Sequence, residues 1–186
     1  MELKTVYFEQ PGRENTEAAL RIARQRAEES GIKTIVVASS TGDTAVKAMD
    51  VFQGLRVIIV TYVTGFRTPN TQEFTEANRK NVESKGGVIV TATHAFAGLS
   101  RAMRNKYNMY VLGEVIADTL RIFGAGTKVA CEVAMMAADA GVVRTDEDVI
   151  SIGGTGHGAD TAIVVRPVNT HNFFDLKVKQ ILCKPL

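Results

Sequence analysis

The stretch Val36-Val37-Ala38-Ser39-Ser40-Thr41-Gly42-Asp43-Thr44-Ala45 decides the fold. It continues a β-branched run from Thr34 with no polar alternation, the pattern of a strand covered on both faces, as in parallel sheets flanked by helices. The run ends abruptly in hydroxyl residues and one glycine. It then resumes at helical spacing, with Ala45, Val46, Met49 and Phe52 on one side. A strand that opens into a helix N-terminus presents free backbone N–H groups and the positive end of the helix dipole, which together favour a phosphate. The rival reading is a plain helix cap, since Ser, Thr and Asp are ordinary capping residues. No P-loop lysine is present, so nucleoside triphosphate hydrolysis is not indicated.

The same alternation extends to both sides. Lys4 to Phe8 reads as a short strand. A Pro11-Gly12 turn follows, and Asn15 or Thr16 is placed to cap a helix carrying Leu20, Ala23 and Ala27, which Gly31 stops. Leu55 to Val60 is a second apolar strand, Glu73 to Ser84 a polar helix, and Val88 to Val90 another strand after Gly86-Gly87. From Gly98 to about Gly141 the spacing is helical, including Val111 to Ile116, whose continuation through Phe123 keeps the helical period. Val149 to Ile152 and Ala162 to Val165 read as strands around a glycine-rich loop, and Phe174 to Cys183 as mostly extended. Strands alternating with helices predict an α/β fold, a largely parallel sheet covered on each side, in one domain over residues 1–186.

Composition sets bounds on partners. The chain has 186 residues, 45% hydrophobic and 23% charged, with a formal net charge of +2. Basic residues are interleaved with acids, as in Arg24-Gln25-Arg26-Ala27-Glu28-Glu29, so no nucleic-acid partner is expected. The two cysteines, Cys131 and Cys183, lie far apart, and the histidines lack HExxH spacing, so no metal site is expected. The amino-terminal residues lack a secretory core and no run reaches membrane-spanning length, so the expectation is a cytoplasmic protein without a membrane partner.

In a parallel sheet the loops after successive strands gather at one edge, where ligands bind. Here those loops contain Asn15 and Thr16, then Ser39 to Thr44, then Tyr62, Gly65 and Phe66, then His94 and Phe96, and finally Gly154, Thr155, Gly156 and His157. Glycines, hydroxyls, two histidines and aromatics would therefore meet. Gly153-Gly154-Thr155-Gly156-His157-Gly158 costs backbone entropy on folding, which implies left-handed turns or close approach of a ligand; a simple glycine-rich connection is the alternative. It enters a strand rather than a helix, against a dinucleotide fingerprint. His94 and His157 read as hydrogen-bonding or structural residues before catalytic ones. Tyr62, Phe66 and Phe96 read as core or as platforms for a planar ring. Glu114 and Glu132, within long helices, are expected to pair with basic residues. Met135-Met136 and the apolar segment Val129 to Val143 fit core packing, with a homo-oligomer interface as the alternative. No catalytic constellation is evident.

Ala38-Ser39-Ser40-Thr41-Gly42-Asp43-Thr44-Ala45 resembles the T-x-S-G-x-T-A loop of the pyruvate kinase C-terminal domain. Val57 to Thr61 resembles that domain's next strand, and Asp148 to Gly154 with Thr161 to Val165 resembles its closing hairpin. The chain as a whole resembles the stand-alone relatives of that domain in microbes, chiefly archaea. The resemblance implies a three-layer α/β/α sandwich, mostly parallel, with an antiparallel strand near the edge. In pyruvate kinases the matched loop binds a phosphorylated sugar effector, and catalysis belongs to a separate barrel domain, so pyruvate kinase activity is not expected of these residues. For the stand-alone relatives the resemblance implies flavin mononucleotide (FMN) as the phosphorylated ligand. Its phosphate would lie at Ser39 to Thr44 and its ring near Tyr62, Phe66, His94 or Phe96. Asp43 stands where the kinases often carry a basic residue, which disfavours a bisphosphate. A sugar-phosphate sensor and a flavin-dependent oxidoreductase are the alternative functions.

Overall fold

The computed structural model describes residues 2–186. Its strands are β1 (Val6–Phe8), β2 (Thr34–Ala38), β3 (Arg56–Thr61), β4 (Val88–Thr91), β5 (Val149–Gly153), β6 (Thr161–Arg166) and β7 (Lys177–Pro185). The helices are α1 (Thr16–Ser30), α2 (Asp43–Val51), α3 (Glu76–Ser84), α4 (Gly98–Tyr107), α5 (Leu112–Arg121) and α6 (Ala125–Asp139). The strands form one seven-stranded sheet in the order β1-β7-β6-β5-β2-β3-β4. Only β6 runs against the rest: it pairs antiparallel with both β5 and β7, while the other four pairings are parallel. The reversed strand lies third from the β1 edge, and β5 with β6 forms the closing hairpin.

The unbroken apolar strands are explained by helices on both faces. Ile35, Val37, Val57 and Ile59 point to a layer made by α1, α2 and α3, where Leu20, Met49, Phe52 and Val82 meet them. Their neighbours Val36, Ile58 and Val60 point the other way, onto Ala130, Val133, Ala134 and Ala137 of α6. The small residues of α6 let its backbone lie close to the sheet. Met135 is fully buried and Met136 nearly so, so core packing accounts for that segment. Helix α5 packs outside α6, and α4 against α5.

Several boundaries shift for local reasons. Helix α3 begins at Glu76 because the Thr75 side chain accepts from the Asn78 backbone N–H at 3.2 Å. Phe174 lies in a 3-10 turn (Thr170–Asp175), and extended structure starts at Lys177. Neither Asn15 nor Thr16 caps α1 by its side chain. Asn15 donates to the Gln10 carbonyl, and Thr16 donates to the Arg13 carbonyl at 2.6 Å while accepting from the Ala159 N–H at 3.0 Å. The Thr16 hydroxyl thus ties the loop after β1 to the glycine-rich loop instead of capping its own helix. Among the described residues, no helix is long and apolar enough to cross a membrane.

Candidate functional site

Strands β1 to β5 all point the same way, so their C-terminal ends share one edge. In sheet order that edge carries the glycine-rich loop after β5, the Ser39 to Thr44 loop after β2, Tyr62 and Phe66 after β3, and His94 after β4. They enclose a cavity of about 540 Å³, within the range of small-molecule and cofactor sites. Neighbouring strands lie ~4.8 Å apart, so the edge from β5 to β4 spans ~14 Å.

The β2 end opens into the N-terminus of α2. Gly42 precedes α2 with φ +102°, a conformation a side chain rarely adopts, and a Cβ there would lie 2.4 Å from the Cβ of Asn78. That close approach lets Asn78 donate to the Thr41 carbonyl at 3.0 Å and to the Asp43 carboxylate at 3.2 Å. Asp43 also accepts from the Thr41 hydroxyl at 3.1 Å. The Ala45 N–H is taken by the buried Ser39 hydroxyl at 3.3 Å. Among the described residues, the backbone N–H groups of Gly42, Asp43 and Thr44 and the hydroxyls of Ser40 and Thr44 have no protein partner. Those N–H groups stand at the positive end of α2, where Asp43, Thr44, Arg13 and Lys47 line the cavity. Lys47 pairs with Glu17 at the surface, 3.0 Å away.

The glycine-rich loop is held from behind. Asp160 is fully buried; its Oδ2 accepts from the backbone N–H groups of Gly12 at 3.1 Å and Thr155 at 3.0 Å, and its Oδ1 from the Thr161 hydroxyl at 2.8 Å. Gly158, with φ +75°, passes so near that a Cβ would meet the Arg13 Cα at 2.5 Å. The four glycines are thus explained in part by backbone crossing backbone. Gly154, Gly156 and His157 still line the cavity.

At the other end three rings cluster. Tyr62 and Phe66 have centroids 4.3 Å apart, and His94 lies 5.4 Å from Tyr62 and 5.1 Å from Phe66. The Arg101 guanidinium sits 4.4 Å from the Phe66 centroid. Below them the ammonium of Lys128 pairs with Glu132 Oε2 one helical turn on, and Glu132 Oε1 accepts from the Phe96 backbone N–H at 3.0 Å. Burial, the largest influence, lowers the pKa of His94 below its ordinary 6.5; Glu132 opposes this, while Lys128 and Arg101 reinforce it. The ring is therefore neutral at pH 7.

Of the residues singled out from the sequence, Thr16, Ser39, Ser40, Thr41, Asp43, Thr44, Tyr62, Phe66, His94, Gly154, Gly156 and His157 line this cavity. Asn15, Gly42, Gly65, Phe96 and Thr155 do not. Phe96 is 6% exposed and packs edge-on against Phe173 at 5.7 Å, in a separate apolar cluster. Gly42 and Thr155 act through backbone geometry beside the cavity. Glu114 pairs with Arg104 at 3.0 Å and Glu132 with Lys128, as expected of helical carboxylates. The cations Lys47, Arg101, Arg121 and Lys128 were missed. For Lys128 and Glu132 a signal existed: an isolated charged pair at i, i+4 on an otherwise apolar helix. Among the described residues, no cluster of His, Cys, Asp and Glu is arranged to hold a metal ion.

The family model described as "Pyruvate kinase, alpha/beta domain" matches residues 17–165, which takes in the Ser39 to Thr44 loop and the closing hairpin. The chain belongs to the pyruvate kinase alpha/beta domain family. Among solved structures it is similar to Cryptosporidium parvum pyruvate kinase in complex with ADP, at 14% identity and a TM-score of 0.40, covering 81% of this chain and 23% of that one. A second crystal structure of Cryptosporidium parvum pyruvate kinase is similar at 13% identity and a TM-score of 0.34, covering 93% of this chain and 23% of that one. The chain thus spans 23% of the length of these kinases.

Proposed function

We propose that this alpha/beta domain is a small-molecule binding protein that holds a phosphorylated ligand, FMN, along the C-terminal edge of its sheet. One observation carries the reading: a helix N-terminus with unclaimed N–H groups and hydroxyls opens into the same cavity as a cluster of three rings. The phosphate would take the N–H groups of Asp43 and Thr44 with the Ser40 and Thr44 hydroxyls, the charge-assisted arrangement that helix N-termini offer anions. The planar ring would lie against Tyr62, Phe66 and His94. A bound flavin supplies reversible electron transfer; the side chains around it orient the ring and exclude water.

A second reading, a sugar-phosphate sensor, is supported by Arg13 and Lys47 beside the α2 N-terminus, cations that compensate for Asp43. The two are separated by optical spectra of the purified full chain and by thermal unfolding with each ligand. The flavin reading expects a flavin absorbance band, or a rise in Tm on adding FMN, and no rise with sugar phosphates. Stabilisation by sugar phosphates alone would replace it with the sensor, and no response to either would remove both.

A further inference from the structure

Besides Arg13 and Lys47 near the α2 N-terminus, the cavity is lined by Arg101, Arg121 and Lys128. Arg101 makes no side-chain hydrogen bond and no ion pair among the described residues, although its guanidinium has five donors. Its guanidinium carbon lies 4.4 Å from the Phe66 ring centroid, a contact that needs no N–H donor. Lys128 is 7% exposed, and of its three donors one goes to Glu132. It also sits in the first turns of α6, where the positive end of the helix dipole disfavours a cation. The desolvation and dipole costs of a buried ammonium in that place are met by the Glu132 carboxylate, whose other oxygen accepts from the Phe96 N–H, and by the Phe96 ring 5.4 Å away, which leaves two of the ammonium's N–H donors free of a hydrogen-bond partner among the described residues. Arg121 lines the same cavity but is engaged by Asp118.

We infer that Arg101 and Lys128 form a second anion subsite, separate from the α2 N-terminus, that takes a small planar carboxylate against the Tyr62–Phe66–His94 rings. A carboxylate matches the planar guanidinium fork, which binds it through two parallel hydrogen bonds, while its free edge accepts from the Lys128 ammonium. The phosphate already has its place beside β2, two strands from His94 in the sheet. This deepens the proposed function by naming the class of co-ligand that would share the cavity, and its role there rests on that reading.

The test is calorimetric titration of the full chain with oxalate in low-salt buffer, with and without added FMN, and with oxamide as the neutral isostere. Oxalate is expected to bind and oxamide not. Arg101→Gln should weaken oxalate about 10- to 100-fold, the range for loss of charge-assisted hydrogen bonds. Lys128→Met alone leaves Glu132 buried without its partner and endangers the fold. The double variant Lys128→Met with Glu132→Gln removes both charges and should weaken oxalate similarly. Thr44→Ala should weaken FMN and leave oxalate unchanged. Oxalate binding that depends on Arg101 in the absence of any FMN binding would keep the subsite and remove the flavin. Equal binding of oxamide, no binding of oxalate, or binding lost with Thr44→Ala but kept with Arg101→Gln would overturn the subsite.

Discussion

Asp160→Ala removes the side chain that holds two loops of the cavity together. Its carboxylate accepts from the N–H groups of Gly12 and Thr155 and from the Thr161 hydroxyl, at 3.1, 3.0 and 2.8 Å. Hydrogen bonds to carboxylates contribute ~1.5–3 kcal/mol each. Both N–H groups are only partly buried, so water reaches them after the substitution and the lower figure applies. The Thr161 hydroxyl can rotate to another acceptor and adds little. The expected loss is therefore about 3 kcal/mol, a large share of the ~5–15 kcal/mol of a typical domain. Asp160→Asn keeps one oxygen facing both N–H groups and turns its amide toward Thr161, so it should cost about 1 kcal/mol. With a urea dependence of ~2 kcal/mol per molar, the midpoint should fall ~1.5 M for Ala and ~0.5 M for Asn at unchanged slope. Ligand affinity should fall with Asp160→Ala, because Gly154, Gly156 and His157 line the cavity. Equal midpoints for the two variants, or a loss under 0.5 M for Ala, roughly 1 kcal/mol on the same slope, would refute the role given to Asp160.

Gly42→Ala combines a strained φ with a Cβ contact at 2.4 Å, so it should cost more than about 2 kcal/mol in urea unfolding and loosen the Asn78 bonds to Thr41 and Asp43. Because the pKa of His94 is lowered in the folded state, the unfolded chain takes up its proton first, so stability should drop as pH falls below 6.5. That slope is at most about 1.4 kcal/mol per pH unit for one proton, and His94→Gln should flatten it; an unchanged slope would count against the burial of His94. Burial pushes the thiols of Cys131 and Cys183 up to about 12, so both should resist Ellman's reagent at pH 8 in the native protein and react fully in urea.

The sheet was legible because its strands are apolar on both faces. Val36 and Val37 feed different cores, so no polar residue interrupts them, and the loops after β2, β3 and β4 could be brought to one edge from direction alone. The aromatics were harder. Phe66 and Phe96 both sit in loops near glycines, yet Phe66 faces the cavity and Phe96 turns inward to Phe173, a choice set by the packing of α5 and the turn before β7. The cations escaped for a related reason. Arg101 and Lys128 lie 27 positions apart in sequence on different helices, and their lining one cavity depends on how α4 packs on α5 and α5 on α6. Asp160 left a fainter trace: an acidic residue at the mouth of an otherwise apolar strand, directly after a glycine-rich run.

The central claim is that the α2 N-terminus binds the phosphate of a ligand whose ring lies against Tyr62, Phe66 and His94. Parallel titrations of the full chain with FMN and riboflavin, which differ only in that phosphate, test it most directly. Two or more charge-assisted hydrogen bonds should make FMN at least about 100-fold tighter than riboflavin. Riboflavin binding as tightly as FMN would contradict the phosphate loop, and failure of both to bind would contradict the flavin.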